Sequence, residues 1–191
     1  MRFDAVVIGT SAGGLAALTT ILSALPEDYP IPVIIVQHRA KTEPTLLEEV
    51  LSYKSRIRIA QADEKQEIRP GKVYFAPGDY HLLIEQDHTF SLSFDPPVHY
   101  SRPSIDVLFE SAAMVYQKRL LAVILTGANS DGSDGIRMIR RMGGTTIAQK
   151  PVTAAHQAMP QAAVNTGCIQ HILELDEITK FLLQSGKLNR G

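Results

Sequence analysis

β-favouring residues run from Phe3 to Ile8 and apolar ones from Pro32 to Val36, while Leu15, Leu18, Leu22 and Leu25 between them recur at helical spacing. A short apolar run without polar alternation reads as a strand buried on both faces, and the three-four spacing reads as a helix. Gly9 to Gly14 punctuates the first junction and Pro26 stops the helix, so two βα units open the chain. A second helix is expected after Pro44, with Leu46, Leu47, Val50 and Leu51 on one side.

From about Arg56 to Tyr100 alternation takes over. Val73–Ala76, Leu82–Glu85 and Thr89–Phe94 each end in turn residues, which predicts short antiparallel strands and hairpins. Helical spacing returns after Ser104 with Val107, Leu108, Ala112 and Val115. Leu120–Leu125 is then the most apolar strand, followed by a polar loop over Asn129–Gly135 and a short helix over Ile136–Met142. Strands over Thr145–Ala148 and Ile169–Leu173 and a helix over Asp176–Leu183 complete the pattern. The expected fold is α/β, a doubly wound, mostly parallel sheet with helices on both faces and a short antiparallel hairpin excursion.

Composition narrows the function. The 191 residues carry 19 Lys and Arg against 20 Asp and Glu, with no basic excess for a nucleic acid or an anionic membrane surface. No apolar stretch reaches the ~18 residues of a membrane span, and the opening residues do not form a signal segment. The single cysteine, Cys168, cannot form an internal disulfide and reads as a small buried residue near a strand start. Met138 and Met142 read as core packing. One cytoplasmic domain without membrane insertion is the expectation.

Ligands of open parallel sheets bind beyond the carboxyl ends of the strands. Three such ends carry chemistry: Gly9-Thr10-Ser11-Ala12-Gly13-Gly14, Gln37-His38, and Thr126-Gly127-Ala128-Asn129-Ser130-Asp131-Gly132. A hydroxyl, an imidazole and a carboxylate from separate strand ends are the parts of a nucleophilic triad. Gly9-Thr10-Ser11-Ala12-Gly13 also has the nucleophile-elbow pattern, although a serine capping a helix explains it equally well. A dinucleotide site fits less well, because Ser11 stands at the second fingerprint glycine and Gln37-His38 replaces the ribose-binding acid. The chain order Ser11, Asp131, His156 would suit an α/β-hydrolase, but no oxyanion segment of that fold is present. His81, His99 and His171 read as loop histidines, His88 as a hairpin-turn residue, and Arg102 as either a substrate contact or a surface pair.

Ile8-Gly9-Thr10-Ser11-Ala12-Gly13-Gly14, Gln37-His38 and Leu125-Thr126-Gly127 through Asp131-Gly132 resemble the catalytic domain of CheB, the chemotaxis protein-glutamate methylesterase. Tyr74-Phe75-Ala76-Pro77-Gly78 with His81-Leu82-Leu83, Arg102-Pro103-Ser104-Ile105-Asp106-Val107-Leu108-Phe109, and Ala158-Met159-Pro160-Gln161-Ala162-Ala163 extend the resemblance along nearly the whole chain. It implies a serine hydrolase that removes methyl esters from glutamate side chains of chemoreceptors and deamidates receptor glutamines. Ser11 is then the nucleophile, His38 the general base and Asp131 its orienting carboxylate, with no cofactor or metal required.

Ala12, Ala128 and Asn129 are the candidate oxyanion residues. The family commonly has Gly-Met-Gly where this chain has Gly127-Ala128-Asn129, so Asn129 is expected to strain a position that glycine tolerates. The family also usually carries a receiver domain. This sequence reads as one catalytic domain over 1–191 with no receiver, leaving a methyl-accepting chemoreceptor or similar methylated protein, and a separate response-regulator receiver, as expected partners. The competing readings are an impaired binding or scaffold module, and an esterase with a non-chemoreceptor substrate.

Overall fold

In chain order the first half comprises β1 (Ala5–Thr10), α1 (Gly14–Ala24), β2 (Val33–Gln37), α2 (Leu46–Lys54), β3 (Arg58–Gln61), β4 (Lys72–Phe75), β5 (His81–Ile84) and β6 (Phe90–Ser93). The second half comprises α3 (Ile105–Tyr116), β7 (Leu120–Ile124), α4 (Ser133–Arg141), β8 (Thr145–Gln149), α5 (Ala158–Asn165), β9 (His171–Leu173) and α6 (Leu175–Arg190). This computed structural model describes residues 2–38 and 46–190. Pro44 and the side chain of Leu46 lie outside the described residues.

A seven-stranded sheet runs β3-β4-β2-β1-β7-β8-β9, all parallel, with β5 and β6 forming a separate antiparallel hairpin. The central strands are apolar at every position because alternate side chains feed two cores. Ala5 and Val7, Ile34 and Val36, and Leu120, Ala122 and Ile124 pack with α3, α4 and α5. Val6 and Ile8, Val33 and Ile35, and Leu121 and Val123 pack with α1 and α6 on the other face. Among the described residues no helix is long and apolar enough to cross a membrane.

Several elements differ from the sequence reading. Val73–Phe75 belongs to β4, which pairs in parallel with β2 and β3, so among the strands of the described residues antiparallel pairing is confined to β5 and β6. Alternation in β3 comes from a half-covered sheet edge, which sequence pattern does not distinguish from a hairpin. On α2, Leu51 and Glu48 are buried and Val50 is exposed. Helix α5 was not expected from periodicity, and α6 runs on to Arg190. Cys168 is only partly buried and precedes β9. Met138 and Met142 do pack against the core, and His88 occupies the β5–β6 turn with φ +61°.

The chain steps from β1 to β2 and β4 on one side, then returns to β7, β8 and β9 on the other. The switch point therefore lies between β1 and β7, where open α/β sheets bind ligands. Gly9 keeps this end of the sheet in close contact with α3: a Cβ there would sit 2.4 Å from Ile105 Cγ2. Gly9→Ala is expected to cost about 1–3 kcal/mol through overpacking, measured by urea unfolding.

Candidate active site

Ser11, His38 and Asp131 follow β1, β2 and β7, three adjacent strands. Thr10 and Gln37 are paired across β1 and β2, and His38 N–H donates to Thr10 O at 3.1 Å, so Ser11 and His38 leave the sheet side by side. Both line an open cleft of about 880 Å³, together with Ala12 and Gln37. Gln37 ties the two segments together, since its Nε2 donates to the carbonyls of Ser11 and His38, each at 2.9 Å.

The turn after Ser11 depends on glycine. Gly13 has φ +81°, and a Cβ at Gly14 would lie 1.9 Å from Gln37 Oε1. On the β7 side, Thr126 stitches the loops: its carbonyl accepts Ser11 N–H at 3.0 Å and its hydroxyl donates to Ala12 O at 2.9 Å.

His38 Nε2 lies 2.7 Å from Asp131 Oδ2. The carboxylate accepts there, which assigns the proton to Nε2 and leaves Nδ1 as the basic nitrogen. Ser101 Oγ and Asn129 Nδ2 face Nδ1 only at 3.5 and 3.4 Å. Asp131 contacts His38 and has no hydrogen bond to His156, whose imidazole is exposed. Of the two histidines, it is therefore His38 that meets Asp131.

Asp131 is 1% exposed, and the first turn of α3 supplies its donors. Ser104 Oγ and Asp106 N–H donate to Oδ1 at 2.8 and 3.1 Å, and Ile105 N–H donates to Oδ2 at 2.7 Å. Ser104 is the N-cap residue of α3, yet its hydroxyl makes no cap bond within the helix. Asp131 takes the capping role from the loop between β7 and α4, at the positive end of the α3 dipole. Burial by itself raises the Asp131 pKa, but the bonds from His38, Ile105 and Asp106 together with the His38 charge outweigh it and hold the carboxyl below its ordinary value. The neighbouring Asp106 is pushed up to about 7, chiefly by burial; Gly135 N–H counters this and the Asp131 charge adds to it.

Ser104, Asp131 and His38 are therefore in continuous contact. Ser104 is fully buried and bonds to the carboxylate, not the imidazole, so it is a positioning residue. Ser104→Ala is expected to lower kcat about tenfold with little change in KM, because the other donors still hold Asp131; steady-state kinetics checks this.

Ala12 lies one residue before the Gly13 N-cap of α1, and among the described residues the amides of Ala12 and Ala128 have no hydrogen-bond acceptor. Gly127 N–H is taken by His156 O. The strain expected at Asn129 is not found, as it is not among the positive-φ residues; instead its Oδ1 accepts Asp131 N–H at 3.2 Å.

Two other expectations change. His81 is 1% exposed in β5, where its Nδ1 accepts Ser104 N–H and its Nε2 donates to Pro96 O, each at 3.2 Å. Arg102 is not a surface pair: it donates to Asp79 at 2.8 Å and to the carbonyls of Phe94 and Asp95 at 3.0 Å, with its guanidinium 3.9 Å over the Phe94 ring. Gln37, Ser104 and His81 were missed as positioning residues. The only signal they gave was their place in quoted motif blocks, because their partners are distant in sequence.

Residues 6–182 match the family described as CheB methylesterase. A Leptospira interrogans protein, provisionally named a protein-glutamate methylesterase/protein-glutamine glutaminase, is 45% identical over 99% of this chain and 98% of its own length. An Anaeromyxobacter dehalogenans protein-glutamate methylesterase/protein-glutamine glutaminase is 40% identical over 95% of this chain, which spans only 53% of that relative. The crystal structure of the Thermotoga maritima CheB methylesterase catalytic domain superposes with a TM-score of 0.92 and 32% identity, covering 96% of this chain and 99% of that one.

Proposed function

The chain belongs to the CheB methylesterase family, and on that premise we propose that it is a protein-glutamate methylesterase and protein-glutamine glutaminase acting on chemoreceptors through Ser11, His38 and Asp131. The observation that carries the reading is the 2.7 Å bond from His38 Nε2 to Asp131, which turns Nδ1 into the base of a cleft that Ser11 also lines.

In this mechanism Nδ1 of His38 takes the Ser11 proton as Oγ attacks the carbonyl of a glutamate methyl ester. The backbone N–H groups of Ala12 and Ala128, without an acceptor among the described residues, are the donors for the resulting oxyanion, with the N-terminus of α1 adding positive potential. His38, now imidazolium and stabilised by Asp131, gives the proton to the departing methoxide, which leaves as methanol. It then draws a proton from water, which hydrolyses the acyl-serine to release glutamate and restore Ser11. A glutamine side chain follows the same course with ammonia as the leaving group.

The test is methanol release from a methylated chemoreceptor, and ammonia release from its unmodified glutamines, by the purified chain. Both products are expected. A folded chain that yields neither from a receptor of confirmed methylation overturns the substrate assignment.

A further inference from the structure

Outside the cleft, three side chains from separate elements converge beside the residues that hold Asp131. His99 precedes α3, Asp106 lies in the first turn of α3, and Asp134 lies in the first turn of α4. Their donor atoms all lie within 4.8 Å of one another. His99 Nε2 is 3.5 Å from Asp106 Oδ2 and 3.9 Å from Asp134 Oδ2.

Asp106 supplies the independent observation. It is 3% exposed, and the Oδ2 turned toward His99 has no hydrogen-bond partner. A buried carboxylate oxygen without a donor is costly unless something positive reaches it. The opposite oxygen is already engaged, accepting Gly135 N–H at 2.7 Å. Asp134 is arranged in the same way: Arg137 donates to its Oδ1, which leaves Oδ2 toward His99. In each carboxylate one oxygen is anchored by the protein and the other is presented to the same point, which is how outer partners orient metal ligands.

We propose that His99, Asp106 and Asp134 form a divalent-cation site suited to Zn²⁺. One imidazole and two carboxylates are a zinc-type donor set, with the remaining position open to water. Metal–ligand bonds of 2.0–2.2 Å in a tetrahedron separate donors by about 3.4 Å. The 3.5 and 3.9 Å spacings come near this, and the exposed His99 side chain has room to close the difference. Calcium and magnesium, which need more oxygen ligands, fit less well.

The site ties the His99 loop and the starts of α3 and α4 into one unit. Asp106 N–H donates to Asp131 Oδ1 at 3.1 Å, so an ion here stiffens the cradle of the triad carboxylate without touching substrate. The proposal is independent of the hydrolase reading and holds or fails on binding alone.

The test is calorimetric titration of Zn²⁺ into the chelator-treated chain, alongside His99→Ala, Asp134→Ala and the double variant. Asp106 is left intact because it is buried and holds Gly135. Circular dichroism checks each fold. The intact chain is expected to bind one equivalent, each single variant at least ~10-fold more weakly, and the double variant none. Zinc should also raise the unfolding temperature of the intact chain but not of the double variant. Absence of saturable uptake by the intact chain overturns the proposal, as does undiminished uptake by the folded double variant. Should a variant fail to fold, NMR on the intact chain decides: zinc must shift the His99 ring resonances, and shifts confined to other imidazoles, such as exposed His156, overturn it.

Discussion

Ser11→Ala is expected to lower ester hydrolysis by at least about 10⁴-fold, more than 5 kcal/mol of transition-state stabilisation. The variant loses the hydroxyl oxygen proposed to form the acyl intermediate, while its cleft and its His38–Asp131 bond remain. Binding of the methylated segment should therefore persist, and stability should change little, because Ser11 is a partly exposed turn residue whose backbone makes the bonds to Thr126 and Gln37. Methanol release measured beside receptor binding separates these effects. A Ser11→Ala chain that releases methanol at the parent rate removes Ser11 as nucleophile. Ser101, whose Oγ faces His38 Nδ1 at 3.5 Å, would then need to be tested, whereas the burial of Ser104 against Asp131 argues against its attack on any substrate.

Asp131→Asn is expected to cost about 10⁴-fold in kcat and, unlike the serine change, to destabilise the fold. Oδ2 accepts from both His38 Nε2 and Ile105 N–H, while Oδ1 accepts from Ser104 Oγ and Asp106 N–H. Asparagine has only one acceptor oxygen. With its amide nitrogen at the Oδ2 position it opposes Ile105 N–H and drives the His38 proton onto Nδ1, abolishing the base. Turned over, it opposes Asp106 N–H instead. One buried donor is left unpaired either way, at a cost of about 1–3 kcal/mol.

The pH dependence provides a second readout. Because the Asp131 pKa is depressed in the folded state, its contribution to stability is present above the unfolded carboxylate value and is lost as pH falls through the folded one. Urea midpoints measured from neutral to acid pH should fall less steeply in Asp131→Asn than in the parent. Equal slopes would show that the carboxylate is not ionised against α3.

Much of this molecule was readable before its coordinates. The apolar runs now seen as β1, β2 and β7, the helical spacing of Leu15 to Leu22, and the glycine-rich turn after β1 together specify a parallel sheet, because side chains buried on two faces leave no polar alternation. That reading brings Ser11, His38 and Asp131 to the same edge, since all three follow parallel strands. It fails at β4, an interior strand between β3 and β2 whose run from Val73 was read as antiparallel.

Which histidine Asp131 would meet was readable only through the family resemblance, which gave His38; the local pattern left His156 open. His38 and His156 both follow the first strand in sequence, and only strand order, with β2 and β7 flanking β1, brings His38 within 2.7 Å of the carboxylate. The same holds for the support around it. Gln37 bridging two carbonyls, Ser104 leaving its own helix uncapped to hold Asp131, and His81 receiving Ser104 N–H are contacts between segments far apart in the chain. Local pattern determined the strands, the helices and the kinds of groups at their ends, because periodic burial is written residue by residue. The tautomer of His38, the charge state of Asp131 and the orphaned oxygen of Asp106 were decided by the tertiary structure, because each depends on which donors packing brings within about 3 Å.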